Sequence, residues 1–446
     1  MMRHTCHIIL LAFILCSCTS DEPDSPDDVT AENNVYLELN QWIYSQMNRQ
    51  YLWREDLPDS MKCDYSLAPR EFFGSLLSGK DRFSYFTTNS NYTPPKSTRG
   101  PGFAYQQLMD LEGNTALEVL YVNSPELRTK GLRRGDYVNF IDSSDDSYSL
   151  IKLELKNGAF VESSSIIEGS RFDPFETSTV LLDSVYYDGD KRIGYLCYLK
   201  YGDKQDLERP LKRFTSNQIT DLILDLRYNP GGYVSTCRFL CNCIVPPAGY
   251  YRIFQQCSYN DILSRKYLLE TGDSRTYSYF EKPEETIGEG LGITLTALNI
   301  KHLYVITSSH TASASEATII CLQPYMDLTV IGEQTVGKGV GSWTISDPRF
   351  RYAIQPITMR YYNAYGISTP DEGIEPDIYM PDGYSTGKLE IGDTNERLLS
   401  VAMAKIRGDA LTKTSTRSID PENSLTPIGE PSYVTEFNQR QYNESY

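Results

Sequence analysis

The apolar positions of this chain change their period along its length, and each change predicts a different kind of structure. Val35, Leu39, Trp42, Ile43 and Met47 recur at helical spacing, as do Phe72, Phe73, Leu76 and Leu77, so residues 34–98 read as a small helical unit. The turn-rich NYTPPKSTRG (91–100) closes it. Over 99–182 the pattern alternates, with strands expected at ALEVLYV (116–122) and GDYVNFI (135–141) and a short helix at SPELRTKGL between them. From Lys191 onward, runs that are apolar on both faces alternate with helical segments. IGYLCYL, DLILDLR, LYVITSS and LTVIGE are the strands, and such βαβ units predict a mixed, largely parallel sheet in an α/β domain over 183–407. The helix NERLLSVAMAKIRG ends that domain, and 408–446 reads as a polar tail.

The first residues follow a different rule. A short basic start, an apolar run from Ile8 to Leu15 and Leu15-Cys16-Ser17-Cys18 make 1–17 an export signal rather than a fold element, since the run is too short to cross a bilayer. The Leu-x-Ser-Cys end resembles a bacterial lipobox, which implies cleavage before Cys18, lipidation of its thiol and anchorage to the outer membrane. Residues 18–33, rich in Asp, Ser and Pro, are expected to be a disordered tether. The 446-residue chain carries a formal charge of −17 spread along its length, which argues against a nucleic-acid surface.

Seven cysteines lie beyond Cys18 without the spacing of a disulfide framework or zinc site. Cys237 and Cys241 share a helical period with Val234 and Ile244, so they are expected in a buried face rather than on a metal.

Candidate chemistry gathers at three places. Asp225-Leu226-Arg227-Tyr228-Asn229-Pro230-Gly231-Gly232 puts two glycines between a strand and a helix, where backbone N–H groups can face a ligand. SSHTASASEATII (308–320) sets Ser313 at a helix N-terminus, where orphan N–H groups and the macrodipole favour an anion. VIGEQTVGKGVG places Lys338 between glycines after a strand; its match to a P-loop fails because Gly339 stands where Ser or Thr would bind Mg²⁺. Only His302 and His310 lie beyond the leader, and His310 sits too close to Ser313 in sequence to serve as its base. A buried lysine can serve instead, if its surroundings hold it neutral.

Taken together, Leu224 to Gly232, Ser313-Ala314-Ser315-Glu316, Gly337-Lys338-Gly339 and Gly373-Ile374-Glu375-Pro376-Asp377 resemble, in order and in the 25-residue gap from serine to lysine, the carboxyl-terminal processing (tail-specific) serine peptidases. Residues 99–182 resemble the bacterial PDZ domain that accompanies them. The resemblance implies Ser313 as nucleophile and Lys338 as general base, with an oxyanion hole from Ala314 and Gly231 or Gly232 and no metal or cofactor. Where some members carry a glutamine four residues after the lysine, this chain has Ser342, so Ser342, Ser315 and Glu316 are the candidates for support of the dyad. Gly102, Phe103 and Ala104 would receive the carboxylate of a peptide tail. The implied activity is endopeptidase cleavage of C-terminal or unfolded segments; the alternative is a protein that binds such ligands on the same scaffold without turnover.

Overall fold

The computed structural model describes residues 26–88, 100–171, 178–283, 297–384, 387–409 and 425–435. The leader and Cys18 lie outside the described residues. Helix α1 (Pro26–Gln50), helix α2 (Pro69–Ser75) and strand β1 (Tyr85–Thr88) form the N-terminal unit. Helix α1 thus begins inside 18–33, the stretch expected as a tether. Leu39, Ile43 and Met47 of α1 bury one stripe against Phe72, Phe73 and Leu76, which is the contact their spacing predicts.

Strands β2 (Phe103–Met109) and β3 (Thr115–Val122), helix α3 (Pro125–Thr129), and strands β4 (Tyr137–Ser143), β5 (Ser147–Lys156) and β6 (Ala159–Ser170) follow. They form an antiparallel sheet whose α3 is capped by Ser124 Oγ on the Leu127 N–H.

The α/β part contains β7 (Val180–Asp188), β8 (Lys191–Tyr198), α4 (Glu208–Ser216), β9 (Asp221–Asp225), α5 (Val234–Ile244), β10 (Ile253–Ser258), α6 (Asp261–Thr271) and β11 (Thr276–Tyr279). It continues with β12 (His302–Thr307), α7 (Ala314–Leu322), β13 (Leu328–Gly332), β14 (Val340–Ser342), β15 (Ile345–Ser346), β16 (Tyr352–Gln355), β17 (Ile357–Tyr362), β18 (Ile378–Tyr379) and α8 (Arg397–Arg407). Its main sheet has the order β18-β13-β12-β9-β8-β7, parallel except for the edge strand β7. Helices α4, α5 and α7 cover one face, where Cys237, Cys241 and Cys321 pack as core residues, and α8 covers the other. Because both faces are covered, β9 is buried at every position, which explains the apolar Leu222-Ile223-Leu224 at its centre.

The polar tail does not hold as one piece. Within it, β19 (Thr426–Ile428) returns to pair antiparallel with β2, so the second sheet runs β19-β2-β3-β4-β5-β6.

A buried charge cluster joins this sheet to the α/β part. Arg227, fully buried, binds Asp225 through Nε at 2.9 Å and Glu396 through Nη1 at 2.7 Å. Arg134, which follows α3, binds Asp382 at 2.6 Å, and Lys388 reaches both Asp382 at 3.4 Å and Glu118 of β3 at 2.8 Å. Burial pushes the Glu118 carboxyl up to about 6, against the pull of Lys388 and Arg134 and with the help of Asp382. A carboxyl whose folded value is raised binds its proton more tightly in the folded state, so its contribution to stability grows as pH falls from above 6 to below the unfolded value of 4.5. Glu118→Gln removes that proton uptake. Comparing thermal or urea melts of the two chains at pH 7.5 and pH 4.5 should show wild type gaining about 2 kcal/mol on the variant over that interval; a constant difference would refute the shift.

Candidate active site

Three neighbouring parallel strands deliver the three chemical motifs to one end of the main sheet. β9 runs into the turn 226–232, β12 into the turn before Ser313, and β13 into the loop that carries Lys338. Carboxyl ends of parallel strands are where α/β sheets place ligands, because the connections there leave a crevice.

Ser313 is the residue before α7 and has φ 57° and ψ −113°. A residue with a Cβ rarely occupies that region, and the surroundings must hold it there. Here the backbone makes a sharp turn from strand to helix. The hydroxyls around it explain how. Ser308 Oγ donates to the Arg227 carbonyl, Thr311 Oγ1 to the Leu226 carbonyl at 2.9 Å, and Ser315 Oγ to the Asn229 carbonyl at 3.0 Å. Three hydroxyls of the serine-rich stretch thus pin it to the glycine turn, while Ser313 lines a cleft with Lys338. Gly231 completes the fit, since a Cβ there would stand 2.8 Å from the Ser313 Cβ.

Glu316, completely buried, joins the serine helix to the lysine loop. Its Oε2 accepts from the Ser313 N–H at 2.7 Å and the Lys338 N–H at 2.8 Å. Oε1 accepts from the Gly337 N–H at 2.7 Å and Thr335 Oγ1 at 2.5 Å. Burial raises its carboxyl above the ordinary glutamate range, while these four donors favour the ionised form. Thr335 Oγ1 also accepts from the Ile374 N–H at 2.8 Å, and a Cβ on Gly373 would lie 1.9 Å from the Thr335 carbonyl oxygen. The Gly373-Ile374 motif therefore acts by close backbone approach to the lysine loop. Asp377 caps the edge of β13 through the Val330 N–H at 2.8 Å.

Lys338 is half-buried and has no carboxylate within ion-pair distance among the described residues. Its Nζ stands 5.3 Å from the centre of the Phe83 ring. Burial holds its pKa below that of a free lysine, while Glu316 and Asp81 pull the other way. Arg82, beside Phe83, donates to the Asp371 carbonyl at 2.7 Å and the Gly337 carbonyl at 3.3 Å, so the N-terminal unit also holds the lysine loop.

The remaining candidates divide. The Gly231 N–H donates to Asn229 Oδ1 at 2.9 Å, which removes it from the expected oxyanion donors. The N–H groups of Gly232 and Ala314 have no acceptor among the described residues. Ser342 Oγ has a partner other than Lys338: it accepts from Gln355 Nε2 at 2.9 Å, at the point where β14 shifts register against β17. Gly102, Phe103 and Ala104 are buried, and β19 and its continuation cover this edge. Neither histidine lines the cleft. His302 meets Thr329 Oγ1 at 2.8 Å, and His310 meets Glu430 at 3.3 Å. The sequence reading missed Thr335, Asn229 and Arg82; buried polar residues next to glycines in two of the motifs were the only signal for the first two.

Residues 192–380 match the profile of peptidase family S41, and residues 38–85 match the peptidase S41 N-terminal domain. The chain belongs to peptidase family S41. Among its relatives, a protein of Bartonella bacilliformis named carboxy-terminal-processing protease is 25% identical over 386 residues, covering 82% of this chain and 81% of that one. The carboxyl-terminal-processing peptidase 1, chloroplastic, of Arabidopsis thaliana is 23% identical over 370 residues, covering 78% of this chain and 69% of its own. A solved structure of a candidate S41 protease from Bacteroides fragilis shares the fold with a TM-score of 0.66 at 24% identity, covering 82% of this chain and 97% of that chain. All three cover more of this chain than the two matched segments do.

Glu316→Gln turns one acceptor oxygen into a donor facing backbone N–H groups. It is expected to lower kcat/KM about 100-fold on any peptide substrate, by misplacing two groups at once, with far-ultraviolet circular dichroism unchanged. Retained activity would show that the four contacts do not position the site.

Proposed function

We propose that this S41 peptidase is a serine endopeptidase that works through a Ser313–Lys338 dyad. One observation carries the reading: Ser313, on a strained turn, and Lys338, depressed in pKa and without a carboxylate at ion-pair distance among the described residues, line the same cleft, and one buried carboxylate fixes the backbone of both. Ser313 Oγ attacks the scissile carbonyl carbon while neutral Lys338 Nζ takes its proton. The N–H groups of Ala314 and Gly232 take the oxyanion of the tetrahedral intermediate. Lys338 then gives the proton to the departing amine, leaving an ester on Ser313. Water attacks that ester, its proton passes to Lys338, and release of the acid returns the hydroxyl to Ser313.

The cleft has a cavity volume of only about 10 Å³, and beyond the two reacting groups Ala317, Ile320, Cys321 and Tyr361 line it together with Gln255 and Thr369. So small and largely apolar a space suits a small uncharged residue on the acyl side of the scissile bond. Peptides cleaved after Ala or Val should have kcat/KM at least tenfold above those with Arg or Trp at that place, as read by mass spectrometry of digests; a preference for Arg or Trp would refute this reading of the cleft.

The antiparallel sheet of residues 100–171 is read as the PDZ-like unit that captures polypeptide ends by strand addition at β2. The whole is held to the outer membrane through a lipid on Cys18, as the lipobox-like leader suggests. The natural ligands are polypeptides, and the charge of −17 disfavours nucleic acid.

The base acts only when neutral, so kcat/KM should rise with pH through the Lys338 pKa, which lies below that of a free lysine. Ser313→Ala and Lys338→Ala should each reduce cleavage of a denatured protein by at least about 1,000-fold while the melting temperature stays near wild type. Cleavage by purified, folded Lys338→Ala at wild-type rate, or a profile that ignores pH in this range, would refute the dyad.

A further inference from the structure

Residues 425–435 occupy the one edge of β2 that β3 leaves open. Thr426, Pro427 and Ile428 pair with Met109, Leu108 and Gln107, so the segment runs antiparallel to β2 and toward the Gly100–Phe103 turn. Buried Gln106 holds it from the side through Nε2, at 3.1 Å from the Ile428 carbonyl oxygen and 3.3 Å from that of Gly429. Where the ladder ends, Ser432 Oγ accepts the Tyr105 N–H at 2.9 Å. These are the direction and the backbone contacts of a peptide that adds a strand to a sheet edge.

The far end of the segment reaches the two catalytic turns. Tyr433 is buried among Ala104, Leu120, Tyr121 and Tyr228, its ring centre 5.6 Å from that of Tyr228 in the glycine turn. Its hydroxyl lies 3.5 Å from the Arg227 carbonyl oxygen, the same atom that Ser308 binds. Glu430 pairs with His310 at 3.3 Å, three residues before Ser313, and the His310 ring meets Tyr433 edge to face at 6.2 Å.

We infer that residues 425–435 are an intramolecular ligand of β2, which a polypeptide substrate must displace before it can pair with that edge. The inference rests on the reading of this sheet as the peptide-capturing unit. A sheet edge takes one strand at a time, so peptide and segment exclude each other. Displacement also carries Tyr433 away from Tyr228 and Glu430 away from His310. Substrate capture at β2 is thereby linked to the turns that hold Ser313 and the oxyanion donors, by exchange of occupants rather than by motion of the whole sheet.

The register supplies the test. Gln107 and Ile428 are direct antiparallel partners, and such pairs lie within the Cα separation of a disulfide. In the full chain carrying Gln107→Cys and Ile428→Cys, oxidation should lock the segment in place. The probe is a fluorescent synthetic peptide copying residues 425–435, with a denatured protein as cleavage substrate. Oxidation is expected to weaken peptide binding and slow cleavage at least tenfold, and reductant should restore both. In the chain with Ser432→Ala and Tyr433→Ala, which does not depend on the disulfide, the same peptide should bind at least tenfold more tightly than to wild type. Equal binding and cleavage by the oxidised and reduced chains would overturn the inference. So would a failure of every form to bind the peptide; hydrolysis of a small ester, which does not engage β2, would in that case show that the catalytic reading survives while the capturing sheet does not.

Discussion

The carboxylate of Glu316 is the joint on which the site depends. It accepts from four donors on two segments that lie 19 to 22 residues further along the chain or at its own helix mouth. A helix N-terminus needs an acceptor for its orphan N–H groups, and a glycine-rich loop needs something to hold its backbone. One buried carboxylate meets both needs. The same negative charge opposes the neutral state of Lys338, so burial beside Phe83 must outweigh it to depress the lysine pKa. Orientation comes through the backbone, from Glu316 and Arg82, rather than through a side chain at position 342.

Around that joint, the architecture stacks supports outward. The parallel strands bring three loops together, hydroxyls of 308–315 fasten the serine turn to the glycine turn, and Gly373 lets a neighbouring loop press on Thr335. Beneath the glycine turn, Arg227 sits in a cluster of Asp225, Asp382 and Glu396 that also takes Arg134 from the second sheet. Removing one member of such a buried cluster leaves the others unpaired, at a cost of about 3–5 kcal/mol. The cluster therefore fixes the second sheet relative to the catalytic turn, and the returning C-terminal segment packs against the same turn through Tyr433.

Much of this was legible in the sequence because local rules and global fold agree. Strands buried on both faces read as apolar runs, Ser313 announced a helix mouth, and the order of the four motifs carried the family. What the sequence did not disclose were contacts between distant segments. That Gly231 donates to its neighbour Asn229 rather than to a ligand depends on a side-chain rotamer, which no spacing reveals. Ser342 stood at the expected offset, but β14 shifts register between Gly341 and Ser342, and the Ser342 hydroxyl bonds Gln355. The stretch 425–435 looked like polar tail because an edge strand that pairs on one side needs few apolar residues, and the edge position is one that tolerates Pro427.

The account's central claim is that Ser313 is a nucleophile made reactive by a neutral Lys338. Its most direct test is to treat the purified chain with a fluorescent phosphonate at several pH values and to map the adduct by mass spectrometry, with Lys338→Ala alongside. The account predicts a single adduct on Ser313 that forms faster as pH rises and at least about 100-fold more slowly in the folded variant. An adduct on another serine, or equal labelling of Ser313 in Lys338→Ala, would contradict it.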